Sequence, residues 1–337
     1  MSCCRSGRYG GYCVAAVAVC LLATPAVACS IPVFRYALER WPADLFVATV
    51  DVPADAAPAV RDAVHWLEDQ AQPNGGPLNL AVERTPASEQ SRREGQGTLA
   101  ITRHSRGQEA IVLLTGPLTG AETALAAGPW QNELIRRLAT GDAIVWLVLE
   151  GDDPAAAKRA VAVLAEELPQ LAEDTVLPRG IGLPGSELLA AIPLEVRFSV
   201  LTVPAEAAGE RLLRATLLAG QRESAAEDAA IEPQGALVVP VFGRGRAAAV
   251  LTAATLTTDA VVEYTAFLCG ACSCQVKHLN PGFDLLLPVD WDQLLFGEGL
   301  AALPSATAAA PSPPQPELVP IPAGRPTSRG SRTEQTP

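Results

Sequence analysis

Three closely spaced cysteines are the residues of this sequence with the most evident chemistry. Cys269, Cys272 and Cys274 lie in the segment CGACSC, with the spacing C-x-x-C-x-C. Such spacing can direct several sulfur atoms toward one point. Cys29 is a fourth candidate, and His278 lies one helical turn past Cys274 if that stretch is helical. Four such donors suit a tetrahedral zinc ion or an iron–sulfur cluster.

The same cysteines also suit disulfide bonds. The chain holds eight cysteines, of which four lie within the first 28 residues. The other four form an even set, which favours two structural disulfides in an oxidising compartment. Cys29 would then pair with one cysteine of the cluster, and the other two with each other. A working thiol pair at Cys269 and Cys272 is the third interpretation, and all three stay open on the sequence alone.

Residues 1–28 have the features of a secretory signal peptide. A basic start precedes the apolar run 14–23, and the small residues Ala26 and Ala28 precede Cys29. The run is shorter than the ~20 residues needed to span a bilayer. The same stretch resembles a bacterial lipoprotein box with Cys29 as the lipidated residue, but Ala26 stands where such boxes usually carry leucine, so we favour ordinary cleavage. We expect an exported protein, periplasmic or envelope-associated, with lipidation of Cys29 as its one route to a membrane.

The charge of the chain excludes several classes of partner. The formal net charge is −12, and Lys158 and Lys277 are the only lysines. Proteins bind nucleic acids largely by neutralising phosphates with lysine and arginine, so we expect no nucleic-acid ligand. The chain has three histidines, one of them beside the cysteines, so few residues could serve as the histidine of a serine hydrolase triad.

Hydrophobic periodicity predicts alternating strands and helices between Cys29 and residue 268. In the first half we expect helices at 33–41, 58–69 and 121–139, strands at 45–52, 78–84, 98–103 and 110–115, and a polar loop at 85–97. In the second half we expect strands at 143–150, 194–203, 236–242 and 246–252 and helices at 154–168, 206–219 and 258–268, with Gly220 ending the middle helix.

The order of the second half, β-α-β-α-β-β-α, resembles the thioredoxin fold, and the first half repeats it without the middle helix. We therefore predict an α/β protein of two tandem thioredoxin-like units. The predicted organisation is a signal peptide at 1–28, a degenerate first unit at 29–140, a second unit at 141–268, a cysteine-rich docking segment at 269–300 and a disordered Pro/Ala-rich tail at 301–337. Strand 143–150 should be central and flanked by parallel partners.

The resemblance to thioredoxins raises a problem for redox function. Active members carry two cysteines where the first strand meets the first helix, because the helix N-terminus lowers the thiol pKa. The corresponding junctions here are VPAD at 52–55 and GDDP at 151–154, and neither contains a cysteine. Neither unit therefore has that family's active site in its usual place.

The remaining candidates have structural interpretations that we favour. His65 falls on the polar side of its helix, and His104 on a hairpin tip beside Arg103 and Arg106, where an anion site is the alternative. Ser186 lacks the flanking pattern of a nucleophile elbow. The segment 290–292 (DWD) is interpreted as docking over a sheet edge, with a carbohydrate or partner contact as the alternative.

Two stretches together resemble an uncharacterised family of exported bacterial proteins: CSIPVFRYALERW at 29–41 and CGACSCQVKHLNPG at 269–282. The resemblance implies export and a linked role for the two cysteine-bearing ends, and it implies no reaction. If the ends meet, Phe34 and Trp41 should pack beside helix 258–268. We expect a non-catalytic binding or assembly module with a cell-envelope protein partner. The alternative is a thiol-disulfide oxidoreductase or a metal-thiolate protein that uses the cluster.

Overall fold

Two β-sheets organise the protein in a computed structural model that describes residues 30–104, 109–126, 128–205, 210–224, 235–272 and 276–297. The predicted mixed α/β class is confirmed. The elements of the first half are α1 (Val33–Arg40), β1 (Phe46–Asp51), α2 (Pro58–Gln70), β2 (Leu80–Thr85), α3 (Glu89–Glu94), β3 (Thr98–Arg103), β4 (Ile111–Pro117), α4 (Ala121–Leu125) and α5 (Pro129–Ala139).

The elements of the second half follow the predicted order, with short additions near the end. They are β5 (Ile144–Leu149), α6 (Pro154–Asp174), β6 (Phe198–Val203), α7 (Glu210–Ser224), β7 (Leu237–Phe242), β8 (Arg246–Ala247), β9 (Leu251–Thr252), α8 (Thr258–Cys269), β10 (Phe283–Asp284) and α9 (Trp291–Phe296). The predicted signal peptide, the whole tail at 301–337, and Cys29 and Cys274 lie outside the described residues.

The first sheet has the strand order β2-β1-β3-β4. β1 runs parallel to β2 and antiparallel to β3, which is antiparallel to β4. The sheet buries alternate residues of β1 against α2, because side chains along a strand point to opposite faces. On α2 the buried side chains are Val60, Val64 and Leu67, which follow the helical period.

The second sheet has the order β10-β8-β7-β5-β6, with β9 also paired to β7. β5 is central, as predicted, and it runs parallel to β6. The expectation of parallel partners on both sides is wrong, because β5 is antiparallel to β7. A continuous apolar run indicates burial on both faces and carries no information about the direction of a neighbour.

Helices cover both faces of β5. Ile144, Trp146 and Val148 pack in one core cluster with side chains of α1, α6 and α8. The alternate residues of β5 pack in a second cluster with side chains of α5, α7 and α9. α5, expected to close the first half, thus packs on the second sheet.

Four local expectations are corrected. The loop 85–97 contains α3, which begins where the Ser88 side chain accepts a hydrogen bond from the Ser91 backbone N–H. The helix expected at 121–139 is two helices, α4 and α5, and Pro129 opens the second. Gly220 lies inside α7, where a Cβ would collide with the Phe283 ring. The strand expected at 246–252 is split into β8 and β9.

Candidate functional site

The two cysteine-bearing stretches meet through backbone hydrogen bonds. Pro32 forms an antiparallel bridge with Ala271. The Val33 N–H donates to the Gly270 carbonyl at 3.0 Å, and the Cys272 N–H donates to the Ile31 carbonyl at 2.9 Å. The chain just after Cys29 is therefore fixed beside the cluster, while a bond from Cys29 itself stays a prediction.

Helix α1 packs where the resemblance led us to expect it. Phe34 and Trp41 share a core cluster with Leu268 and Cys269 of α8. The Trp41 ring also lies 5.9 Å from the guanidinium carbon of Arg246. Arg246 in turn donates hydrogen bonds to carbonyls of the 280–282 segment, so Trp41 at the end of α1 is linked to that segment through Arg246.

The described thiols are buried. Cys269 and Cys272 are 2% and 1% exposed, and both belong to the core cluster that contains α1. Burial raises the pKa of the Cys269 thiol to about 12. Since the thiolate is the nucleophile, a Cys269 thiol whose pKa is raised this far is a poor candidate for a working thiol.

In the described part of the chain, no group of three or more His, Cys, Asp or Glu side chains is placed to hold a metal ion. Two of the four cysteines lie outside it, so a zinc or iron–sulfur site at Cys29, Cys269, Cys272 and Cys274 stays a prediction. His278 is exposed on the short turn Lys277–Leu279.

Charged residues of the first stretch have structural partners. Arg35 and Glu39 pair at 2.7 Å with both side chains buried. Glu39 also accepts hydrogen bonds from the N–H groups of Leu189 and Ala190, and Arg35 donates to the carbonyls of Ala190 and Ile192. This network fixes the loop before β6 against α1.

The turn 243–245 supports the same helix. Gly243 has φ 57°, and a Cβ there would lie 2.6 Å from the Cβ of Ala37. Arg244 donates to the Leu38 carbonyl at 2.9 Å and to an Asp292 carboxylate oxygen at 2.7 Å. The glycine is needed because the turn approaches α1 closely.

A polar cleft of about 520 Å³ lies between the first sheet and the edge of the second. We call it the cationic cleft. From the first half it is lined by Asp44, Leu45, Phe46, Arg103 and His104. From the second half it is lined mainly by Arg246, Lys277, His278, Phe283 and Asp284.

Asp284 is the buried centre of one wall of this cleft. It is 3% exposed, and its carboxylate accepts hydrogen bonds from Arg246 at 3.1 Å and from Lys277. The Asp44 N–H donates to the same carboxylate at 2.7 Å, and the Asp44 side chain lies 3.0 Å from the Lys277 ammonium. Asp44 therefore joins one network of ion pairs and hydrogen bonds with charged residues more than 200 positions later in the chain.

The opposite wall carries Arg103, whose guanidinium carbon lies 4.5 Å from the centre of the Phe283 ring. Arg103 is 5% exposed, whereas His104 and His278 are exposed at the rim. The sequence indicated Arg103 and His104 as neighbours at a hairpin tip. It gave no signal that Asp44, Arg246 or Asp284 would join them.

The other sequence candidates have structural explanations. His65 is exposed on α2. The Ser186 hydroxyl is buried and accepts a hydrogen bond from the Ser30 N–H at 2.9 Å, which tethers the segment before α1. Asp290 caps α9, and Trp291 is buried in the second sheet's core. That burial leaves no exposed tryptophan face at 290–292 for a carbohydrate.

No helix in the described part of the chain is long and apolar enough to cross a membrane. The sequence matches no protein-family model, no curated protein and no solved structure. The cysteines and the cationic cleft are therefore the features of the chain that bear on its function.

Proposed function

We propose that this chain is an exported, non-catalytic binding or assembly module of the bacterial cell envelope, with an envelope protein as its partner. Export is supported by the basic start, the apolar run and the small residues before Cys29. The module role is supported by the joined stretches 31–33 and 270–272, which fix the N-terminal helix on the second sheet.

The finer fold proposal is a degenerate first thioredoxin-like unit at 29–140 and a second thioredoxin-like unit at 141–268, followed by a cysteine-rich segment at 269–300. The support is the shared pattern of the two sheets. In each, the first strand has a parallel neighbour on one side, and antiparallel strands follow on the other. The helix after the first strand is also present in both halves, as α2 and α6.

The observation that carries the non-catalytic proposal is the burial of Cys269, which raises its thiol pKa to about 12. Thiol oxidoreductases need the opposite, an accessible cysteine with a lowered pKa. The strand–helix junctions of both units also lack cysteine. The rival function, a thiol-disulfide oxidoreductase or a metal-thiolate protein, would need the cluster to expose a thiolate or hold a metal.

Insulin reduction coupled to dithiothreitol discriminates between these functions. We expect the purified exported protein to give no turnover above dithiothreitol alone, with the Cys272→Ser variant behaving identically. The His65→Gln variant, changed at an exposed site on α2, is the matched control for handling. Turnover that disappears in Cys272→Ser and persists in His65→Gln would overturn the proposal.

Intact-mass analysis of the exported protein tests the covalent state. A mass that begins at Cys29 and falls short by four hydrogens means two disulfides. A large added lipid mass means an anchor at Cys29, and bound zinc or iron in native spectra favours the metal-thiolate alternative. A chain that retains residues 1–28 and stays in the cytoplasm would contradict export.

A further inference from the structure

The cationic cleft has the size and the shape of a small-molecule site. Its volume of about 520 Å³ lies within the ~300–1,000 Å³ range of ligand pockets, and such pockets often form between structural units. Here one wall comes from β1, β3 and the residues beside them, and the other from β8, β10 and the turn 277–279.

The charge of the lining opposes the charge of the chain. Three permanent cations line the cleft, Arg103, Arg246 and Lys277, against two carboxylates, Asp44 and Asp284. The chain as a whole carries a net charge of −12. These five groups leave a net charge of +1 in the cleft, where low-dielectric walls focus the field and favour anions.

The cations are held in fixed positions before any ligand arrives. Arg246 donates to the carbonyls of Pro281, Asn280 and Gly282, and Lys277 donates to the Pro42 carbonyl at 2.6 Å. Gly282 has φ 97°, and a Cβ there would collide with the Ala247 carbonyl. The conformation of the 280–282 segment therefore fixes the position of Arg246. Charges that are already fixed in position bind anions at a smaller entropic cost.

Arg103 is positioned by stacking of its guanidinium plane on an aromatic ring. Its guanidinium stacks on Phe283 with Nε and Nη2 buried, and the residue lines the cleft. A guanidinium N–H forms a strong charge-assisted hydrogen bond to a carboxylate or phosphate oxygen. His104 and His278 add ring nitrogens at the rim, while Leu45, Phe46 and Phe283 supply apolar wall.

We propose that the cationic cleft binds a small organic anion, by contact of Arg103, His104 and His278 with a carboxylate or phosphate group and of the apolar wall with the carbon skeleton. This site is separate from the proposed partner-binding role and does not depend on export. Thiol turnover in the insulin assay would overturn the module proposal and would not affect the anion site. Absence of anion binding would overturn the anion site and would not affect the module proposal.

Isothermal titration calorimetry at low ionic strength tests the proposal, with citrate and glucose 6-phosphate as the two anionic probes and glucose as the uncharged control. We expect at least one anion to bind with a Kd below about 1 mM, and added salt to weaken binding because exposed charges are screened. Citrate binding identifies a carboxylate site and glucose 6-phosphate binding a phosphate site. Absence of binding by both anions, or equal binding of glucose, overturns the proposal.

Matched variants locate the site. Arg103→Gln should weaken anion binding about tenfold or more, corresponding to loss of one charge-assisted contact. Arg159→Gln, at an exposed arginine of α6 outside the cleft, should leave it unchanged. If Arg103→Gln fails to fold, the exposed double variant His104→Gln/His278→Gln decides, with His65→Gln as control. Unchanged affinity in a folded cleft variant would show that the anion binds elsewhere.

Discussion

Arg35 and Glu39 form an ion pair one helical turn apart on α1, with side chains only 1% and 0% exposed. A buried pair of this kind is tolerated only where further hydrogen bonds complete it. Those bonds come from the backbone of residues 189–192, 150 to 157 positions away. The two charges of α1 thus hold the loop before β6.

Removing one partner of this pair should strongly destabilise the protein. We expect Glu39→Gln to lower the free energy of unfolding by about 3–5 kcal/mol, because it leaves the Arg35 charge buried without its counter-ion. Urea denaturation measures the loss. The control is Glu89→Gln, whose pair with Arg93 lies on the surface of α3 and should matter little. Equal, small effects of the two variants would contradict the buried-pair account.

The close approach of the turn 243–245 to α1 predicts a second stability effect. Gly243→Ala places a Cβ 2.6 Å from the Ala37 Cβ at a backbone with φ 57°. Gly182→Ala has a similar positive φ of 83° and no atom within 4 Å of the added carbon. Both variants carry backbone strain, so their difference isolates the collision.

We expect Gly243→Ala to lose about 1–3 kcal/mol more than Gly182→Ala, the usual range for overpacking. The two urea midpoints, measured under identical conditions, give the comparison. Equal midpoints would mean that the turn and the helix are not in contact in solution.

Glu133 predicts a pH-dependent contribution to stability. Hydrogen bonds from Arg136, together with those from Arg137, outweigh burial and hold the pKa of the Glu133 carboxyl at about 2, below its ordinary 4.5. A lowered pKa in the folded state stabilises the protein above the unfolded pKa. That stabilisation is lost as the pH falls from about 4.5 to about 2.

The Glu133→Gln variant should therefore be less stable than the wild type by about 1–2 kcal/mol near neutral pH, with the partial exposure of the pair limiting the effect. The difference should shrink through this acid window. Urea unfolding of both proteins across the pH series tests it. A difference that stays constant down to pH ~2 would exclude the ion pairs as its source.

The sequence predicted the elements whose burial follows a simple period. Val60, Val64 and Leu67 recur at helical spacing, and β5 is a continuous apolar run, so both were visible without tertiary information. α3 was missed because it is short and polar on the surface, and its Ser88 cap is its one strong signal. The sequence predicts a helix end at Gly220, but Gly220 lies inside α7, where the absence of a Cβ leaves room for the Phe283 ring.

The cationic cleft was beyond sequence reasoning for a different reason. Asp44, Arg103, Arg246 and Asp284 are separated by tens to hundreds of positions, and no spacing rule connects them. Arg35 and Glu39 likewise resemble an ordinary surface pair at i and i+4 until the loop before β6 covers them. Whether a charged side chain is buried depends on tertiary contacts, so it cannot be predicted from the local sequence pattern.

The burial of Cys269 and Cys272 makes them structural residues rather than working thiols, and alkylation of Cys269 is the sharpest test of that role. Native protein is treated with iodoacetamide at about pH 8, where an accessible thiol near its ordinary pKa reacts. Fragmentation of the tryptic peptide 247–277 then distinguishes Cys269 from its neighbours. Burial and a thiol pKa of about 12 predict that Cys269 stays unmodified in the native protein and is modified in concentrated guanidinium chloride, with tris(2-carboxyethyl)phosphine in both reactions so that no disulfide protects the thiol. Modification of native Cys269 at the rate of the unfolded chain would contradict that role and favour a thiol enzyme.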